Sequence, residues 1–459
     1  MTNTPSRTGK RQIRRDIYKL IIPSVLQNFL EIGITLLTTA IIGRLMAYDI
    51  SAKGVSERIV QFDWALFRGL GTGAMLIFAH AYGAGKLKKC KEIAAQAYLI
   101  CIPLAIVFVA VVCCCPRFLL ELMTDEGEVL TRAIPYLKVL VLSSPFTAIM
   151  SVNTAIFNGS GDTKTPMFIA IAMNAVNVVG CLVLVFGIGP FAGFGLMGSA
   201  AALIFSKALA AGLGVWLIYR RKGVFREVRE HVQHLRLDPA VAKEVFGGGL
   251  PVAGETLFWQ FSTIVVSRAI LSYGSDTYAA YLLGMQAETL LQAPTYGFSV
   301  AAMTLCSFAI ARHNDRLYRD YIRQILLMAV VVALITTPML AFGSTFFMTM
   351  LTDKAELIAI GAGYVSMMAI GQPALAVSPA INGVLRAANH KKIPMISTAL
   401  GIWLVRVPII ALTAFVFKGS IFIVWFAISV DQLVRLAISG GFFLRRRVQD
   451  TVLKQQEQE

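Results

Sequence analysis

KLIIPSV at residues 19–25 and GGGLPVA at 247–253 set the same proline twice, as Pro23 and Pro251, 228 positions apart. That offset also carries RGLGTGAM (68–75) onto YGFSVAAM (296–303), so Gly69, Ala74 and Met75 return as Gly297, Ala302 and Met303. It carries YLKVLVLSSP (136–145) onto YVSMMAIGQP (364–373), with Tyr136 and Pro145 returning as Tyr364 and Pro373. GSGDTKTP (159–166) falls onto AANHKKIP (387–394), and Pro166 returns as Pro394. One insertion between any two landmarks would break this register. The chain therefore reads as one structural unit used twice.

The residues between these landmarks are apolar. Hydrophobic residues make up 56% of the 459 and charged residues 15%, and the mean hydropathy is +0.68. A soluble domain would carry roughly a quarter charged residues. Stretches able to cross a ~30 Å hydrocarbon core as helix occur twelve times, near 17–42, 57–80, 93–115, 134–157, 166–188, 195–218, 247–271, 279–310, 322–347, 359–385, 394–417 and 420–444. The 57–80 span is the least apolar because it holds Asp63 and Arg68. A β-barrel would need short alternating segments, not runs such as AIVFVAVVCCC (105–115). The expected fold class is an all-α integral membrane protein of twelve helices in two six-helix repeats. Its divisions are a basic tail (1–16), a first lobe (17–218), a connector (219–246), a second lobe (247–444) and a tail (445–459). Repeats of this kind build transporters that hold cargo between their halves.

The net charge of +16 is topological. On one side of the spans lie only Arg44, Lys53, Arg117, Arg132, Lys354 and Lys418. The other basic residues outside the spans fall in the two tails, the connector and the loops after even-numbered spans. The positive-inside rule then puts both termini and the connector in the cytoplasm of a bacterial inner (plasma) membrane, beside anionic headgroups. A nucleic-acid partner is not expected. The basic start precedes a span too long for a signal peptide's apolar region, so the first span is read as an uncleaved anchor. The connector reads as a linker with a short amphipathic helix. His231 and His234 in it are three apart but lack the further ligands of a metal site. The seven cysteines form no metal or redox pattern: Cys113, Cys114 and Cys115 are adjacent, while Cys101, Cys181 and Cys306 are isolated in apolar helices.

Polar groups inside spans carry the functional signal, because an ionisable side chain there costs several kcal/mol unless paired or facing water. Four acids qualify: Glu31 in span 1, Asp63 in span 2, Glu255 in span 7 and Glu288 in span 8. Gln27, Glu31, Thr35 and Thr38 follow helical spacing down one face of span 1. Span 7 answers with Thr256, Gln260, Thr263 and Ser267, bordered by Glu255, and span 8 adds Gln292, Thr295 and Ser299. Such stripes are expected to line a cavity. Asp431 and Arg435, four apart in span 12, read as a neutralising pair, and Arg406 as a tie from span 11 to a neighbour's carbonyls. Lys138 and Lys207 are read as snorkelling or pairing with one of the acids.

With twelve spans in two repeats, the chain resembles the multidrug and toxic compound extrusion (MATE) transporters. The resemblance runs from about residue 16 to 445. It is carried by NGSGDTKTP (158–166), RAANHKKIP (386–394), WLVRVP (403–408), AHAYGAG (79–85), GLMGSAAA (195–202) and DQLVR (431–435). It implies a V-shaped pair of lobes around a central cavity and export of organic, often cationic, compounds driven by inward H⁺ or Na⁺. The chain also departs from the family. Thr38 stands where many members carry an acid before the first Gly-Arg, GQPALAVSPAINGVLRAA (371–388) has no acid, and Glu255 comes only four residues after Pro251. The resemblance thus leaves the coupling ion open.

The expected function is cation-coupled antiport of organic cations. A carboxylate in a partly desolvated cavity can take a proton or hold Na⁺ with neighbouring oxygens, and the same charge attracts a cationic cargo. Competition at that site, coupled to rocking of the lobes, gives exchange. Glu255 is the leading acid, followed by Glu31, with Na⁺ at either as the alternative to a proton and no other metal or cofactor expected. Partners are small organic molecules and lipids, the chain is expected to be a monomer, and no enzyme site is read. A flippase for a lipid-linked oligosaccharide or cell-wall precursor is the alternative, resting on Lys138, Lys207, Arg268 and Arg406.

Overall fold

The computed structural model describes residues 7–42, 47–121, 123, 127–188, 191–220 and 238–445. Among the described residues, twelve long helices fall where the apolar stretches predict them. Spans 1–6 are Arg7–Ile42, Ala47–Gly83, Leu87–Cys114, Gly127–Gly159, Lys164–Phe186 and Gly195–Arg220. Spans 7–12 are Pro239–Leu271, Ser275–Ala311, Asp315–Thr349, Ala355–Ala387, Lys392–Val416 and Ile421–Leu444. Arg44 and residues 221–237 lie outside the described residues, and with them His231, His234 and the amphipathic helix expected in the connector. The all-α expectation has one small exception: Gly187–Ile188 and Phe191–Ala192 pair as a two-residue antiparallel hairpin between spans 5 and 6.

The repeat reappears in the helix ends. Spans 2 and 8 begin and end 228 residues apart, as do spans 4 and 10. The turns match too. Gly85 and His313, after spans 2 and 8, have φ of 71° and 50°, and Gly161 and Asn389, after spans 4 and 10, have φ of 84° and 64°. Glycine meets this left-handed requirement without strain in the first half, and His and Asn tolerate it in the second. In NGSGDTKTP, Asp162 follows Gly161 and accepts from the backbone N–H groups of Lys164 and Thr165, opening span 5.

Among the described residues, ten helices are long and apolar enough to cross a membrane. The other two, spans 2 and 7, have 37 and 33 residues and ample length. Their apolarity is held down by Asp63 and Arg68 in one, and by Glu255, Arg268 and a glycine run in the other. Among the described residues, regular helix also breaks in two spans. Span 4 has a 3₁₀ turn at Val141–Ser143, and span 11 has π-helical turns at Gly401–Arg406 and Leu412–Val416. Such departures collect at functional positions.

Two compact units emerge from the packing. One holds span 1 up to Val25 together with the chain from Gly254 onward, and the other runs from Leu26 to Ala253. Both changeovers come two residues after a span proline, at Pro23 and Pro251, and keep the 228-residue offset. In the first unit Ile13, Ile17, Leu20 and Ile21 pack with Phe298, Leu305, Tyr318 and Ile325. In the second, the start of span 7 meets the glycines of RGLGTGAM. A Cβ at Gly69 would lie 2.6 Å from the Cβ of Ala253, and one at Gly73 would lie 2.5 Å from Val245 O and Gly249 N. Small residues allow this approach between membrane helices. The repeat equivalent is present in the first unit, where a Cβ at Gly297 would lie 3.1 Å from Ile21 O.

Candidate functional site

In the unit from Leu26 to Ala253, Gln27 and Glu31 line a pocket with Met150, Asn153, Thr154, Phe157, Pro166, Ile169, Ala170, Met173 and Ala210. Helical spacing sets both polar residues on one face of span 1, and Gln27 Nε2 donates to Glu31 Oε1 at 3.0 Å. Asn153 is buried in the wall and doubly anchored: it accepts from the Tyr98 hydroxyl and donates to Ala211 O at 3.1 Å. The lining holds one carboxylate and no Lys or Arg, although Arg68 of span 2 contributes a positive field at Glu31. The cavity is about 50 Å³. A water needs ~10–15 Å³ by such a measure, so the space takes a few waters or the charged group of a larger cation.

Asp63 belongs to a second cluster in the same unit. It is fully buried, and Ser144 Oγ donates to its Oδ1. Lys207 of span 6 donates to Thr147 Oγ1 at 3.0 Å and to Ser143 Oγ at 3.4 Å. Lys138 is exposed.

The other unit holds the remaining acids, each with partners. Glu255 is ion-paired with Arg386 and accepts from Thr398 Oγ1 at 3.4 Å. Glu288 accepts from Gln292 Nε2 at 2.6 Å and from the Tyr364 hydroxyl at 2.7 Å, one bond on each oxygen. Asp431, fully buried, takes Arg435 Nε at 2.9 Å and Nη2 at 2.6 Å, as the i, i+4 spacing predicts. It also lies 3.0 Å from Arg406 Nη2. Arg406 therefore ties span 11 to a carboxylate, where a neighbour's carbonyl was expected. Both guanidiniums flank Trp259, at 4.6 and 5.4 Å from the ring centroid. A Cβ at Gly401 would lie 2.4 Å from Asp431 Oδ1, which accounts for a glycine in the π-turn beside this cluster.

The polar stripes are less uniform than their spacing suggests. Thr38, Thr263 and Thr295 donate to carbonyls three or four residues back, a local bond that satisfies the hydroxyl within its own helix. Gln260 is half-buried beside Trp259, and the side chain of Thr35 lies outside the described residues. Sequence reading named the acids but not their partners Arg386, Tyr364, Ser144 and Thr398. One signal was available: Lys207 and Arg435 are 228 apart, so each repeat places a cation at the same position of its sixth helix.

Twelve helices in a repeated pattern, with acids and their partners set inside the spans, define a multi-pass membrane transporter. The model of the MatE family matches residues 23–183 and 251–412, two matches beginning 228 positions apart, and the chain belongs to that family. It is 25% identical to a probable multidrug resistance protein NorM of Thermotoga maritima, over 94% of this chain and 92% of that one. It is 22% identical to a probable multidrug resistance protein YoeA of Bacillus subtilis, over 95% and 94%. Its fold is similar to that of a MOP superfamily transporter from Pyrococcus furiosus, with a TM-score of 0.85, 16% identity and coverage of 98% and 99%. The resemblance read from the motifs is borne out.

Proposed function

We propose that this chain is a multidrug efflux transporter that exports organic cations in exchange for H⁺ or Na⁺ by alternating access. The observation that carries this reading is the pocket of Glu31: one carboxylate, an amide beside it, and Phe157, Met150 and Met173 as apolar and polarisable walls. An aromatic face and a carboxylate together favour a cation over a neutral molecule. The names of the relatives, which cover nearly the whole chain, support the multidrug assignment. Glu31 takes precedence over Glu255 as the cargo carboxylate, because Arg386 already neutralises Glu255. Lipids and small organic molecules are the partners, and the chain works as a monomer.

The flippase alternative needs a net positive cavity. It is disfavoured by the pairing of Arg406 with Asp431, the hydroxyl partners of Lys207, and the exposure of Lys138 and Arg268. Expression in cells stripped of their own pumps is expected to lower ethidium accumulation, and a protonophore or removal of Na⁺ to restore it. Accumulation equal to the empty vector would refute the reading.

The site of operation is the bacterial inner membrane, with both termini and the connector cytoplasmic. In a background from which the seven native cysteines have been removed, a cysteine introduced at Arg229 is expected to resist an impermeant thiol reagent in intact cells and to react in inverted vesicles. Labelling in intact cells would reverse the topology.

A further inference from the structure

We propose that Asp63, Ser144 and Lys207 form a proton-binding switch, separate from the cargo carboxylate, that couples spans 2, 4 and 6. The inference rests on the reading of the chain as a cation-coupled exporter and assigns the ion and its site.

Asp63 is 0% exposed, in the middle of a membrane helix. Its Oδ1 accepts from Ser144, yet its buried Oδ2 has no hydrogen-bond partner. An ionised carboxylate with a bare oxygen there would bear its full desolvation cost. A carboxylic acid with its proton on Oδ2 costs less here than a carboxylate: Oδ1 is then the carbonyl that accepts from Ser144, and the unpaired oxygen carries a neutral O–H in place of a charge. The lysine that could neutralise Asp63 is engaged elsewhere. Lys207 donates to Thr147 and Ser143, on the turn beside Ser144, while lying in the field of both Asp63 and Glu57.

The surrounding charged and titratable groups are few. Span 2 itself supplies Glu57, paired with Lys53 at 3.2 Å. Span 4 supplies Tyr136, within 3.4 Å of the Ser199 hydroxyl, and the exposed Lys138. Span 3 supplies Tyr98, bonded to Asn153, and the buried Cys101. Lys207 therefore carries the positive charge of this cluster. Loss of the proton leaves a carboxylate in the field of an ammonium held only by two hydroxyls, and the attraction draws Lys207 from span 4 toward span 2. Uptake of a proton releases it again. The 3₁₀ turn Val141–Ser143 lies at this point of span 4, where backbone bonding can adjust with the change. A Na⁺ ion is disfavoured here because Lys207 already fills the cationic role.

Infrared difference spectroscopy of reconstituted protein between about pH 5 and 9 tests the switch without transport. A protonated-carboxyl C=O band is expected, absent in Asp63→Asn and moved to higher frequency in Ser144→Ala, which removes the bond to the carbonyl. In parallel, Asp63→Asn is expected to lose at least tenfold of pH-gradient-driven ethidium efflux. Identical spectra for wild type and Asp63→Asn, a band unmoved by Ser144→Ala, or undiminished pH-driven efflux in Asp63→Asn would each overturn the switch. Wild-type protein that moves ethidium under no gradient would overturn the exporter reading, while the band reports on Asp63 either way.

Discussion

Glu31→Gln is expected to insert and fold at wild-type level and to lose between tenfold and a hundredfold of gradient-driven efflux of an organic cation. The substitution keeps the volume of the side chain and its contact with Gln27, which bonds Glu31 Oε1 at 3.0 Å. What it removes is the one negative charge in the pocket lining. A hydrogen bond to a charged group is worth about 1.5–3 kcal/mol, and each ~1.4 kcal/mol is tenfold in affinity, which gives that range. Glu31→Asp keeps the charge and is expected to fall in between. Rates are compared at equal expression, in membranes where insertion has been checked. Wild-type efflux by Glu31→Gln would move the cargo carboxylate to Glu255 or Glu288.

The largest effect on stability is expected at Asp431. Its carboxylate is fully buried and takes Arg435 through two bonds, with Arg406 Nη2 3.0 Å away. Asp431→Asn preserves the shape but strands two guanidiniums without their anion. Breaking a buried ion pair by removing one partner costs about 3–5 kcal/mol, against ~5–15 kcal/mol for a whole domain. Arg435→Met should cost less, because Asp431 and Arg406 then remain as a pair. Thermal unfolding of the purified proteins in detergent orders the three, with wild type highest and Asp431→Asn lowest. A melting temperature of Asp431→Asn equal to wild type would show that the cluster does not hold spans 11 and 12 together.

Architecture was legible because it rests on local rules. The ~20-residue apolar run and the proline landmarks each depend on neighbours in sequence, and the 228-residue offset lets one half check the other. Site chemistry rests on contacts that no periodicity encodes. Glu255 stands out in the sequence as an intramembrane acid of span 7, four residues after Pro251. Its partner Arg386 lies 131 residues away, at the head of a motif whose turn geometry gave it another evident purpose. Asp63 was recognised as an intramembrane acid, but its bond to Ser144 joins residues 81 apart, across the 3₁₀ break in span 4. By contrast, Asp431 and Arg435 were read as a pair because their spacing is helical. Arg406 was missed as their third member because its approach follows from the π-turn at Gly401–Arg406.

Coupling is read from efflux of ethidium out of proteoliposomes containing only this protein, under separately imposed pH and Na⁺ gradients. Cation-coupled export predicts transport that requires an opposing cation gradient. With the proton held at Asp63, the pH gradient drives it and the Na⁺ gradient alone does not. Efflux no faster than from protein-free liposomes under either gradient would rule out cation-coupled export by this chain.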